Sequence, residues 1–75
     1  MLVQTRRSAM VVEIKRRREI GREVIDEVER KVAALKVRKG VAIRTALVYA
    51  GRLSPGVEAD GYFDAVVSAE DFFRQ

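Results

Sequence analysis

The sequence predicts an α/β domain: a small, mostly parallel sheet of about three strands, one long amphipathic helix completing a strand–helix–strand (βαβ) unit, and short terminal helical turns. Three observations carry that expectation. Residues 9–14, Ala9-Met10-Val11-Val12-Glu13-Ile14, form a short apolar run rich in β-branched side chains, which suits a pleated strand. Between residues 18 and 36 the apolar positions change to three- and four-residue spacing, the helical period. Residues 41–49 close on Thr45-Ala46-Leu47-Val48-Tyr49, apolar almost without alternation. That is the pattern of a central strand covered on both faces. Strand, helix and strand in this order cross over right-handed.

Taken in order, Leu2-Val3-Gln4-Thr5 reads as an earlier edge strand. The helix sets Ile20, Val24, Val28, Val32 and Leu35 on one stripe, widened by Ile25. On its other face it offers Asp26 to Arg30 and Glu27 to Lys31 at i,i+4. Gly21 weakens its first turn. Gly40, after the basic Lys36-Val37-Arg38-Lys39, suits its C-terminus on capping and dipole grounds. Ser54 and Pro55 open a short helical turn as N-cap and first residue, and Gly61 ends it. Tyr62-Phe63-Asp64-Ala65-Val66-Val67 reads as a third strand. Ser68-Ala69-Glu70-Asp71 has the composition of a helix start, from which Phe72 and Phe73 would dock onto the core. Only short turns remain to cover the second sheet face. A strand as apolar as residues 41–49 should not face water. The expectation is a homodimer through the sheet face or sheet edge, or a chain that is one end of a larger domain.

Composition narrows the function classes. Seventy-five residues make a single domain, residues 1–75, with one modest core. Cys and His are absent, which removes disulfides, the usual zinc ligands and a thiol or imidazole nucleophile or base. With 48% hydrophobic and 35% charged residues the chain is globular rather than disordered. Abundant Arg and Glu without Asn, Cys or Trp fit a protein from a hot environment. No run approaches the roughly 20 apolar residues that cross a bilayer, and the N-terminus lacks the apolar core of a secretory signal. A cytoplasmic location away from membranes is expected. The net charge of +4 is uneven: residues 1–39 hold twelve Lys/Arg against six Asp/Glu, residues 40–75 three against five. The basic half can attract nucleic acid or another anion; the plainer alternative is a solvated, internally paired surface.

Two constellations stand out. Glu13 and Lys15 lie two apart at the end of the first strong strand and would project to the same side. A carboxylate there can ligate Mg²⁺ or Mn²⁺, and the ammonium can stabilise developing phosphorane charge. The alternative is an ordinary paired strand end, worth about 0–1 kcal/mol. Arg16-Arg17-Arg18 are placed at the helix N-terminus, where they oppose the macrodipole unless an anion sits there or Glu19 and Glu23 neutralise them. With Arg6 and Arg7 they are the candidate contacts to a nucleic-acid backbone. No aromatic interleaves the run, so base stacking is not expected.

Val11-Val12-Glu13-Ile14-Lys15, a long amphipathic helix and then Ala46-Leu47-Val48-Tyr49 resemble the second half of a PD-(D/E)XK restriction-endonuclease-like core. In particular they resemble the nuclease-like domain that closes many archaeal P-loop ATPases. The order of elements matches from about Ala9 to Phe73. The resemblance implies Glu13 as metal ligand and Lys15 as catalytic partner in any active member. It also requires an acidic residue from an upstream strand, and residues 1–12 contain neither Asp nor Glu. One carboxylate holds Mg²⁺ weakly. The absence of a Gly-x-x-x-x-Gly-Lys segment removes any ATPase role from this chain. The expected function is therefore a non-catalytic binding or assembly module without a cofactor, contacting nucleic-acid backbone. The alternatives are a Mg²⁺-dependent nuclease completed across a dimer, and a protein-interaction module with no nucleic-acid role.

Overall fold

The structure, a computed structural model, describes residues 1–70. Four strands and two helices follow in the order β1 (Leu2–Gln4), β2 (Ser8–Ile20), α1 (Glu23–Ala34), β3 (Ala42–Leu53), α2 (Pro55–Asp60) and β4 (Ala65–Ser68). The strands lie side by side in chain order. β1 and β2 form an antiparallel hairpin, whereas β2–β3 and β3–β4 are parallel. The fold is α/β, but the sheet is mixed and has four strands rather than three.

Two right-handed crossovers stepping the same way across a sheet leave their helices on the same face. The core shows that arrangement: Val24, Ile25 and Val28 of α1 and Val57 of α2 bury with Val11, Leu47 and Phe63. Tyr62 and Phe63 meet edge to face at 5.1 Å between ring centroids. The molecule is a two-layer slab of 37 × 29 × 18 Å. The register places Val11 beside Thr45 and Glu13 beside Leu47 on the helix-covered face. By alternation, Met10, Val12, Ile14 and Arg16 share the open face with Arg44, Ala46, Val48 and Ala50. Ile14 is 63% exposed, Val3 48% and Met1 72%. β3 is central in the sheet as expected, but among the described residues the helices cover only one of its faces. Among the described residues no helix is long and apolar enough to cross a membrane.

The largest departure is at the start of the helix. β2 does not end near Ile14 but continues to Ile20, and α1 has only twelve residues. Arg16, Arg17 and Arg18 are strand residues, so the expected macrodipole conflict does not arise. Arg16 pairs with Ala50 and Glu19 with Arg52, leaving Arg17 and Arg18 opposite Gly51 alone: a β-bulge. One extra residue reverses which side chains face the core. That is why Ile20, an even-numbered residue, is 1% exposed beneath the helix layer. Gly51 has φ +118°, and a Cβ there would sit 1.7 Å from the Arg17 carbonyl oxygen, so the bulge requires glycine.

At the other end α1 stops at Ala34, with Leu35 already extended. Gly40 is therefore not its cap but part of a turn, with φ +89°. α2 does open at Ser54-Pro55 and close at Gly61 in the left-handed region, although the Ser54 side chain makes no capping bond. β4 occupies only Ala65–Ser68, and Ala69 and Glu70 directly after it form a 3₁₀ turn, so Ser68 both ends the strand and stands at the expected helix start. The docking expected of Phe72 and Phe73 lies outside the described residues.

Candidate functional site

β2 and α1 run antiparallel, one layer above the other. Same-side strand residues repeat about every 6.6 Å, and helix residues four apart repeat about every 6 Å. Two charge series can therefore be matched step for step, and they are. On the strand, Glu13, Lys15 and Arg17 face α1; on the helix, Lys31, Glu27 and Glu23 face the strand. Lys31 Nζ donates to Glu13 Oε1 at 2.6 Å and to Oε2 at 3.1 Å. Lys15 Nζ lies 2.6 Å from Glu27 Oε2 and 3.3 Å from Glu13 Oε2. Arg17 reaches Glu27 at 3.6 Å and Glu23 at 3.9 Å. The six side chains form one continuous ladder of alternating charge.

Its middle is shielded and both ends are wet. The Glu13 side chain is 8% exposed and that of Lys15 15%, against 58% for Lys31 at one end and 59% for Glu23 at the other. Burial pushes the Glu13 carboxyl up, but hydrogen bonds and charge from Lys31 and Lys15 outweigh it and hold its pKa below the ordinary value. The Glu27 hydrogen bond leads in raising Lys15 above its usual value, against the opposing effect of burial and with further help from Glu13. Glu27 is lowered in turn, chiefly by Lys15. All three groups are held in their charged forms.

Helix surface pairing differs from the sequence expectation. Lys31 bonds to Glu13 and Glu27 bonds to Lys15 and Arg17, so the expected Glu27–Lys31 pair is replaced by contacts to the strand. No Asp26–Arg30 ion pair forms among the described residues. Arg22, just before α1, instead clamps Asp60 at the end of α2 at 2.8 Å. Of the two acids expected to neutralise the arginines, Glu23 does so at Arg17.

The sequence-predicted arginines do not form one patch. Arg6 and Arg7 lie in the β1–β2 turn, at the opposite end of the thirteen-residue β2 from Arg16 and Arg18. Arg17 is spent on the ladder, while Arg16 and Arg18 are exposed. A cleft of about 490 Å³ at the carboxyl ends of β2 and β3 is lined by Glu19, Ile20, Gly21, Glu23, Arg52, Leu53, Ser54 and Pro55. A second, of about 530 Å³, lies at the other end between Gln4, Thr5, Arg6, Arg38 and Val41.

No protein-family model, curated protein or solved structure matches this chain. The local chemistry must stand alone. Glu13 and Lys15 do share a side, as the motif requires. A divalent cation at Glu13, however, would have to displace two ammonium groups from a shielded carboxylate. Leu2, Val3 and Gln4 of the neighbouring strand supply no second carboxylate. No group of three or more Asp or Glu residues converges among the described residues. The residues present do not fit a Mg²⁺ or Mn²⁺ site. Glu27 and Lys31 were missed as partners of the motif. The signal that finds them is the complementary order of charge: minus, plus, plus at period two on the strand, and minus, minus, plus at period four on the helix.

Proposed function

We propose that this chain is a non-catalytic binding and assembly module that pairs with a second copy through its open sheet face and contacts nucleic-acid backbone through exposed arginines. The observation that carries the non-catalytic part is the bonding of Glu13. Both carboxylate oxygens are occupied by lysines, so the Glu-Ile-Lys element serves to seat α1 on β2. In an acidic restriction-endonuclease-like site the same residues would have to remain available to metal and water.

Assembly is supported by the apolar side chains on the sheet face that neither described helix covers. The open face supplies the apolar surface for it in Met1, Val3, Ile14 and their half-buried neighbours Met10, Val12 and Val48. Exposed Arg6, Arg7 and Arg18 remain for an anionic partner, whereas Arg16 lies on the open face itself.

Incubation of the purified chain with duplex and single-stranded DNA and Mn²⁺ tests the first part, and sedimentation equilibrium tests the second. The expected result is intact DNA and a dimer that Ile14→Glu dissociates. Metal-dependent cleavage that disappears in Glu13→Ala would replace this function with the dimer-completed nuclease. A monomer at all concentrations would remove the assembly role. A tight oligomer indifferent to nucleic acid would leave assembly alone.

A further inference from the structure

We propose that the pole of the molecule where β1 turns into β2 and the residue 35–41 connection enters β3 is the nucleic-acid surface, with Arg6, Arg7, Arg38 and Lys39 gripping the phosphodiester backbone. The inference rests on the binding role proposed above and gives it a location, away from Arg16–Arg18. Two hydrogen-bonded turns build this pole. In the first, the Thr5 N–H donates to the Ser8 carbonyl at 2.7 Å. The Thr5 hydroxyl oxygen accepts from the N–H groups of Ser8 at 3.1 Å and Arg7 at 3.4 Å. In the second, the Val41 N–H closes onto the Arg38 carbonyl at 3.1 Å around Gly40. The Ala42 N–H donates to the Arg7 carbonyl at 3.0 Å and ties the turns together. Arg6 and Arg7 occupy the tip of one turn, Arg38 and Lys39 the other. A shallow depression of about 530 Å³ lies between them, lined by Arg6 of one turn and Arg38 of the other.

Unpaired cations are most numerous at this pole. Lys15, Arg17, Arg22 and Lys31 each have a carboxylate partner. Arg6, Arg7, Arg38 and Lys39 are exposed and form no ion pair among the described residues, as is true of nearby Lys36 and Arg44; elsewhere Arg16, Arg18, Arg30 and Arg52 are unpaired too, Arg52 lying beside Glu19 on the neighbouring strand. Asp64, at the start of β4, is turned onto the Thr45 N–H at 2.8 Å. Cations held together by a rigid backbone without counter-charge repel one another, and an anion relieves that repulsion. Arginine forks match phosphate oxygens two at a time. Arginines on two adjacent hydrogen-bonded turns can contact successive phosphates of one strand. No aromatic residue lines the depression, so the contact reads charge rather than bases.

The test is fluorescence anisotropy of labelled single-stranded and duplex DNA against the whole chain across a salt series. Wild type is compared with Arg6→Gln/Arg38→Gln, with the same pair plus Arg7→Gln and Lys39→Gln, and with Arg16→Gln/Arg18→Gln. All of these side chains are exposed, and circular dichroism checks that each variant folds. The quadruple variant is expected to lose more than about 100-fold in affinity at low salt and to flatten the duplex salt slope by about 3.6, at roughly 0.9 per phosphate contact. The double pole variant should lose about half of that slope change. The Arg16/Arg18 variant should change the slope by less than about 1. Wild-type binding with pole variants that bind equally well overturns this location and leaves the binding role standing. No wild-type binding even at low salt overturns both. Affinity for phosphatidylserine vesicles without affinity for DNA also overturns the proposal, in favour of a membrane surface.

Discussion

The two faces of β2 treat charge in opposite ways. On the face beneath α1, Glu13, Lys15 and Arg17 alternate with nothing but opposite charges from Glu23, Glu27 and Lys31, and the apolar neighbours Val11 and Leu47 are buried. On the open face, Met10, Val12, Ile14 and Arg16 face no second layer among the described residues, and their cross-strand partners Arg44, Ala46, Val48 and Ala50 include no carboxylate. The same strand therefore holds a finished interface on one side and an unfinished one on the other. The catalytic-looking motif on the finished side has its charges paired within the fold. Available chemistry is to be sought where charge has no partner.

Unequal truncations test that contrast most severely. Leu47→Ala removes a fully buried side chain at the centre of the covered face and should cost about 2–5 kcal/mol. The neighbouring Val48→Ala, on the open face, should cost less than about 1 kcal/mol in the monomer, read by urea unfolding at low concentration. Similar losses would mean that the open face is covered in solution. Gly51→Ala comes next. Its Cβ cannot fit against the Arg17 carbonyl, so the bulge must reset, and about 2–3 kcal/mol should be lost.

A smaller effect should come from the ladder. Glu13→Gln keeps the shape but removes the charge that both lysines bond, and about 1–2 kcal/mol should be lost at neutral pH. Its pH signature is more telling than its size. The folded pKa values of Glu13 and Glu27 lie below their unfolded values, so their stabilisation is present above the unfolded carboxylate range and disappears as pH falls through the folded values. Lys15 has the opposite sign. Its raised pKa stabilises fully below the unfolded lysine value and is lost only as pH climbs through the folded one. Unfolding free energy should be level across neutral pH and fall at both extremes, and Glu13→Gln should shallow the acid limb. An unchanged acid limb would show that the ladder is not formed. The smallest effect is expected at Arg16→Gln, within about 0.5 kcal/mol of wild type, because its side chain is exposed and makes no ion pair among the described residues.

Much of the fold was legible. Val11-Val12-Glu13-Ile14, Val24 with Val28, and Thr45-Ala46-Leu47 carry the strand, helix and strand, because burial of one helix stripe and one sheet face leaves a periodic mark. The short helix between Ser54 and Gly61 was marked by turn chemistry. The start of α1 was not legible. Ile20 lies four residues before Val24, so period alone assigns it to the helix, and only the bulge at Arg17-Arg18 brings it to the core as a strand residue. The bulge in turn depends on Gly51, over thirty positions away in the chain. Both halves of the candidate site were visible as residues, but their pairing was not, since the i,i+4 rule joins Glu27 to Lys31 whenever no strand lies beneath them.

By itself, then, the sequence determined an α/β chain with a parallel β2–β3 pair, one covering helix stripe and an excess of cations in its first half. These properties are local or compositional, and each residue contributes to them independently. Only the tertiary structure decided which charges are neutralised. Antiparallel stacking of α1 on β2 brings Lys31 to Glu13 and Glu27 to Lys15, and it separates Arg16 and Arg18 from Arg6 and Arg7 by the length of a strand. The hydrogen bond from Ala42 to Arg7 then sets two turns side by side at the opposite pole. Coulomb energy depends on distance in space and on the surrounding medium, and neither is written in the order of residues along the chain.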